Sequence, residues 1–321
     1  MESTSRKRSL RIVFMGTPEF AVAGLDKLVT SGYHIVGVIT APDRPAGRGR
    51  KVQQSAVKKY ALDNELNLLQ PTNLKDPGFI AALEDLKANL QIVVAFRMLP
   101  KVVWQMPKYG TFNLHASILP QYRGAAPINW AIINGETQTG ATTFFIDEKI
   151  DTGEIIMQEK LEIAADETAG ELHDRLMALG ADLILKTVVR IEKDTVELQK
   201  QEENQNLKTA HKIYKETCQI NWSRPLKTIY NHIRGLSPYP TAWSIMVNDG
   251  NEISVKIFKV GMEKENHTYT NGKIIADKKS IKVAVENGFI NLLEIQLSGK
   301  RKMAAHEVLN GLSISEEAYM R

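Results

Sequence analysis

The sequence predicts an α/β chain: a Rossmann-like, mostly parallel sheet followed by a smaller OB-like β-barrel. Three observations carry that expectation. Aliphatic runs alternate with helically spaced segments over the first 190 residues, the pattern changes to short strands after residue 240, and Asn-Asp-Gly, Thr-Asn-Gly and Glu-Asn-Gly punctuate those strands as turns.

The elements follow in order. Leu10 to Gly16 reads as a buried strand ending in a turn, and residues 19–31 continue with helical spacing, Phe20, Leu25 and Leu28 sharing a face. His34 to Thr40 is a second strand. A basic loop, Pro42 to Lys51, is followed by a helix over Ser55 to Glu65, a short strand over Asn67 to Leu69 and a helix over Pro77 to Lys87. Leu90 to Phe96 is a third strand and Gly110 to His115 a fourth. Ala126 to Asn134 is helical, Thr142 to Ile146 and Glu154 to Gln158 are strands, and Thr168 to Lys193 is a long amphipathic helix. Glu192 to Asn206 is charged and Gln-rich, with no apolar period past Leu198, as in a linker.

Pro225 to Arg234 is a short helix with Ser223 near its start and Pro225 in its first turn. Strands over Ala242 to Val247, Ile253 to Val260, Lys273 to Ala276, Ile281 to Val285 and Phe289 to Gln296 suit a small antiparallel barrel. The expected divisions are a tail over 1–9, a first domain over 10–190, a linker over 191–208 and a C-terminal domain over 209–321.

Composition narrows the function. A hydrophobic share of 43% and a charged share of 24% over 321 residues are those of a soluble globular protein of about two domains. No apolar run approaches the roughly 20 residues of a membrane span. The first ten residues are polar and basic, unlike a secretory signal. The single cysteine, Cys218, allows no internal disulfide and no cysteine-rich metal site, and it lacks the local signature of a nucleophile. A cytoplasmic protein is expected. Net charge is +4, but Lys208 to Arg321 holds 17 Lys and Arg against 11 Asp and Glu, so this third carries all of the positive excess. That asymmetry favours an anionic macromolecular partner there.

The chemistry concentrates in two runs. Asn113-Leu114-His115-Ala116-Ser117-Ile118-Leu119-Pro120 closes the fourth strand, and Ile150-Asp151-Thr152-Gly153 follows another. Asn113 and His115 are two residues apart, so on a strand they share a face. An amide that donates a hydrogen bond beside an imidazole that carries a proton suits acyl transfer, in which an oxyanion must be held and a proton moved. Asp151 can orient the imidazole. Taken alone, Asn-x-His at a strand end is more often a satisfied turn than a catalytic pair. Two loops converging beyond the carboxyl ends of parallel strands favour a site.

Other motifs fail on inspection. Met15-Gly16-Thr17-Pro18-Glu19-Phe20 is not G-x-G-x-x-G, and Glu19 would repel a pyrophosphate, which argues against NAD. Gly47-Arg48-Gly49-Arg50-Lys51 lacks the spacing of a phosphate loop. His115, His173 and His211 have no zinc-ligand spacing. The loop's Arg44, Arg48, Arg50 and Lys51, set among glycines, read either as a solvated segment or as an arm for phosphates and nucleic-acid edges.

Taken together, Asn113 to Pro120, Tyr122-Arg123-Gly124-Ala125-Ala126-Pro127 and Asp151-Thr152-Gly153 resemble the 10-formyltetrahydrofolate-dependent formyltransferases. Gly16 to Phe20 and Pro42-Asp43-Arg44-Pro45-Ala46-Gly47-Arg48-Gly49 narrow the resemblance to members that act on charged tRNA. It runs from about residue 10 to the C-terminus. It implies a formyltransferase-type sheet, a catalytic trio of Asn113, His115 and Asp151, and folate contacts at Ser117, Ile118, Leu119 and Pro120. It places Val94 to Leu99 and Thr143 to Asp147 along the pterin pocket, hence Phe96, Arg97, Met98 and Asp147. Many members have a glycine soon after the third strand, where Phe96-Arg97-Met98 stands here.

The implied reaction moves a formyl group from 10-formyltetrahydrofolate to the amino group of methionyl-initiator tRNA. The implied tRNA-side residues are Arg44, Arg48, Arg50 and Lys51, and a monomer without metal is expected. Two alternatives stay open: a formyltransferase acting on an amino sugar nucleotide, or a formyl-folate hydrolase, and a noncatalytic nucleic-acid-binding protein. Neither a sugar nor water explains the basic loop and barrel, and simple nucleic-acid binding leaves the amide, imidazole and carboxylate without a task.

Overall fold

A computed structural model describes residues 7–46, 51–202 and 206–321. They form two compact units. The first takes in residues up to Gly124, Thr139–Leu161 and His173–Thr209, and the second Ala125–Gln138, Glu162–Leu172 and Ala210–Arg321.

In the first unit, β1 (Ile12–Gly16) is wholly buried and leads into α1 (Glu19–Thr30), whose Phe20, Leu25 and Leu28 face inward. β2 (Ile35–Ile39) follows. Where the basic loop is expected, β3 (Arg44–Ala46) pairs antiparallel with β4 (Lys51–Gln53), Arg44 lying opposite Gln53. Ser55 caps α2 (Ala56–Asp63) by accepting from Lys58 N at 3.0 Å. Next come β5 (Leu68–Leu69), α3 (Pro77–Asp85) capped by Asp76, β6 (Leu90–Val94), the single-turn α4 (Lys101–Trp104) and β7 (Thr111–His115). β8 (Arg123–Gly124) follows; α5 (Pro127–Ile133) belongs to the second unit, and β9 (Gln138–Phe145), β10 (Ile155–Glu162) and most of α6 (Ala169–Glu192) belong to the first.

The sheet order is β10-β9-β7-β6-β1-β2-β5. From β5 to β7 every pairing is parallel, and β9 runs antiparallel to β7, with Asn113 opposite Phe144 and His115 opposite Thr142. Parallel strands buried on both faces account for the continuous aliphatic runs of β1 and β6. This arrangement puts the carboxyl ends of β1, β6 and β7 at one edge.

In the second unit, β11 (Thr209–Ala210) is followed by α7 (Leu226–Leu236). Pro225 sits just ahead of that helix rather than inside it, its carbonyl accepting from Thr228 N and Ile229 N. β12 (Ala242–Asn248), β13 (Asn251–Lys264), β14 (Ile274–Ala276), β15 (Ile281–Val285) and β16 (Gly288–Leu297) include the five expected strands. β17 (Met303–Ala304), α8 (Ala305–Val308) and β18 (Tyr319–Met320) complete the chain. The antiparallel order β14-β15-β16-β13-β12-β18 curls until its edges meet: Ile274 N donates to Ala318 O at 3.0 Å and Met320 N to Gly272 O at 2.7 Å. The result is a nearly closed barrel around Ile257, Val283, Ile290 and Ile295, against which α7 packs Ile229 and Ile233.

Among the described residues no helix is long and apolar enough to cross a membrane.

Candidate active site

β7 ends in the candidate site. Asn113 and His115 project from the same face of this strand, as their spacing requires. The Asn113 side chain is half-buried and makes no hydrogen bond to another described residue, so its amide is free to donate to a ligand. His115 is 6% exposed. Its Nε2 lies 2.8 Å from Tyr122 O. A carbonyl only accepts, so Nε2 carries the proton of that bond. Nδ1 is then the nitrogen left for chemistry, and it faces Asp151 Oδ2 at 3.7 Å. That separation exceeds a direct hydrogen bond and leaves room for a small movement of either group.

Asp151 is held by its surroundings rather than by His115 alone. The turn between β9 and β10 places it in the left-handed region, at φ 55°. Its Oδ2 accepts from Gly124 N at 2.9 Å. Gln201 Nε2 donates to the backbone carbonyls of Asp151 at 2.9 Å and Gly153 at 2.8 Å, and its Oε1 accepts from Arg123 at 3.0 Å (Nε) and 2.7 Å (Nη2). Gly153 is required by space: a Cβ there would stand 1.7 Å from Phe145 O. Within the segment expected as a linker, Gln199 exchanges both backbone hydrogen bonds with Ile155 of β10.

The segment after His115 is stitched to β9 and β10. Thr142 Oγ1 donates to Ser117 O at 2.6 Å and accepts from Leu119 N at 3.2 Å and Gln158 Nε2 at 2.9 Å. Gln158 Nε2 also donates to Leu119 O at 2.8 Å. Ser117 is fully buried and gives its hydroxyl to Gln121 O, and Leu119 packs with Phe144 and Ile155. These two side chains hold the segment, which leaves Ile118 and Pro120 as its half-exposed side chains.

The other expected donor contacts differ in what engages them. Met98 is 73% exposed. Arg97 turns its guanidinium to the carbonyls of Pro71 and Thr72, and burial, then the nearby Arg44, lowers its pKa. Asp147 closes its own turn, accepting from Thr152 Oγ1 at 2.7 and 2.9 Å and from Lys149 N at 3.0 Å. Arg44 is exposed. Beside it, the hydrogen bonds of Lys58 and Gln70 hold the Asp43 carboxyl below its ordinary pKa. Arg48, Arg50 and the Lys51 side chain lie outside the described residues. Among the described residues, no group of three or more His, Cys, Asp or Glu is placed to hold a metal ion.

Gln201, Gln158 and Thr142 were not read from the sequence as part of this site. Gln201 lies in Leu198-Gln199-Lys200-Gln201, where no periodicity or motif marks it.

Family models for formyl transferase and for the formyl transferase C-terminal domain match residues 10–188 and 212–313. A Flavobacterium johnsoniae protein named methionyl-tRNA formyltransferase is 59% identical over 96% of this chain and 98% of its own. One of the same name from Bacteroides fragilis is 54% identical over 98% and 99%. Among solved structures, the sugar 3N-formyl transferase WlaRD has a TM-score of 0.64 at 21% identity, covering 92% of this chain and all of that one. HypX from Aquifex aeolicus, in complex with tetrahydrofolic acid, gives 0.64 at 18%, covering 94% of this chain and 47% of that one. At such identities these two show the fold alone. The two family models and the near-full-length relatives together establish that the chain belongs to the formyl transferase family, among the methionyl-tRNA formyltransferases.

Proposed function

We propose that this protein transfers the formyl group of 10-formyltetrahydrofolate to the free amino group of methionyl-initiator tRNA, producing the formylated charge used to start translation. The observation that carries this reading is the unengaged Asn113 amide beside His115, with Asp151 behind it, in a chain whose near-full-length relatives bear that activity as their name.

The amine of methionine adds to the formyl carbon. As the carbonyl oxygen takes on charge, the Asn113 amide donates to it; one such donor is typically worth about 10²-fold or more in rate. His115 works through Nδ1, which must carry the ring's second proton to stabilise the same oxygen or to give a proton to the folate nitrogen as the carbon–nitrogen bond breaks. Its Nε2 bond to Tyr122 O keeps the ring from rotating. Asp151 takes the proton that the amine loses, directly or through water, and steadies His115. The donor lies along Ile118, Pro120, Phe96 and Met98, with the 117–120 segment and the turn closed by Asp147 shaping its pocket. Arg44, and with it Arg48, Arg50 and Lys51, meets the tRNA backbone. The protein acts in the cytoplasm as a monomer.

The test is to supply donor labelled in its formyl group together with methionyl-initiator tRNA, an amino sugar nucleotide, or buffer alone. Label in an acid-stable bond to tRNA-borne methionine is the expected result. Label on the sugar, or free formate released at the same rate without tRNA, would replace this reading by one of its alternatives.

A further inference from the structure

Arg97 follows β6 by three residues, and its side chain is committed to backbone. Nη1 donates to Thr72 O at 2.8 Å and Nη2 to Pro71 O. Nε is buried without a partner, and the Phe96 ring centre lies 5.5 Å from Cζ. The residue before Pro71 continues the path. Gln70 Nε2 donates to Ala41 O at 2.9 Å and to Asp43 Oδ1 at 3.0 Å. Asp43 receives Lys58 Nζ on its other oxygen at 2.6 Å. Arg44, which opens the β3–β4 hairpin, comes next in the chain. A continuous line of bonds therefore joins the loop after β6 to the base of the basic hairpin.

The residue type suits that task. A guanidinium holds two acceptors at once in a fixed plane, whereas an ammonium on a flexible stem holds them without direction. The two carbonyls belong to successive residues, so one fork fixes the orientation of a whole peptide unit and of the Gln70 backbone before it. A contact made only to fill space would leave the fork free.

We propose that Arg97 is a positioning residue for acceptor recognition: it clamps the Pro71 and Thr72 carbonyls and so sets Gln70, Asp43 and the Arg44 hairpin against the loop that follows β6. This assignment rests on the formyl-transfer reading above and replaces, for Arg97, the expectation of a donor contact. Arg97 acts through Arg44 and leaves the donor untouched.

The experiment is steady-state transfer at saturating donor, and then at saturating methionyl-tRNA, for wild type, R97A, R97K, Q70A, R44A and R97A/R44A. The expected result is a rise of about five- to tenfold in the KM for methionyl-tRNA in R97A and Q70A, with kcat and the donor KM within about twofold of wild type. R97A/R44A is expected to be no worse than R44A alone, because both lie on one path. R97K should recover little. A raised donor KM with an unchanged tRNA KM would make Arg97 a donor contact and overturn the proposal. Equal losses on both substrates together with a lowered Tm would reduce it to general support, and penalties that multiply in the double variant would show that it does not act through Arg44. Failure of the functional reading is distinguishable, since wild type itself would then leave methionyl-tRNA unformylated.

Discussion

Replacing Asn113 or His115 by Ala, or Asp151 by Asn, removes one polar function each from a site whose shape is held by other groups. Turnover is expected to fall by about 10²-fold or more in each, while far-ultraviolet circular dichroism and Tm stay near wild type. Near-normal turnover in any one would remove that residue from the chemistry. Gln201 offers a subtler case. It braces the Asp151 and Gly153 carbonyls without reaching His115, so Gln201→Ala should lower kcat by roughly tenfold through misplacement of the carboxylate, with both KM values little changed. An unchanged kcat would mean that Gly124 N and the turn hold Asp151 unaided. The trio was legible because an i, i+2 spacing on a strand and a carboxylate closing a neighbouring strand are local patterns. Gln201 was not, because its role depends on where a segment without periodicity docks.

At the scale of elements, space and burial decide. The turn of Asp151 exists because Gly153 lies against Phe145 O, and overpacking costs typically 1–3 kcal/mol or more. Gly153→Ala is therefore expected to lower Tm by several degrees and to abolish transfer, whereas Gly250→Ala, at φ 76° with open space around it, should lose only about 1 kcal/mol to backbone strain. Equal Tm values for the two variants would contradict this account of the turn. α7 carries a second case. His232 has one ring nitrogen bonded to the Cys218 backbone and Nε2 buried without a partner, and burial pushes its pKa below the ordinary 6.5. The unfolded chain then binds the proton more readily than the folded one. Stability should fall as pH is lowered through 6.5 and go on falling until the folded-state group itself protonates. His232→Gln should lack that component, and parallel unfolding profiles for the two proteins between about pH 7 and 5 would show that it does not exist. Alternation of aliphatic runs and turn triplets made the long strands readable in advance. The one-turn α4, the β3–β4 hairpin and the final closure through Gly272 and Met320 were not, since each depends on contacts remote in sequence or on too few residues to show a period.

Over the whole molecule, charge is unevenly spread: the last third holds the positive excess, and Arg44 stands exposed on the hairpin of the first unit. A partner held largely through its phosphates releases counterions, so the KM for methionyl-tRNA should rise at least about tenfold between 50 and 200 mM salt, while the donor KM changes by less than about twofold. Equal sensitivity of both would contradict a phosphate-based acceptor site. On the proposed reading, this site serves a charged tRNA rather than a small amine. The most direct measurement is kcat/KM for methionyl-initiator tRNA and for an amino sugar nucleotide, taken with one enzyme preparation and one formyl donor. A preference of several orders of magnitude for the tRNA is expected. Comparable values, or a preference for the sugar, would contradict it and leave the basic hairpin and barrel as solvated surface.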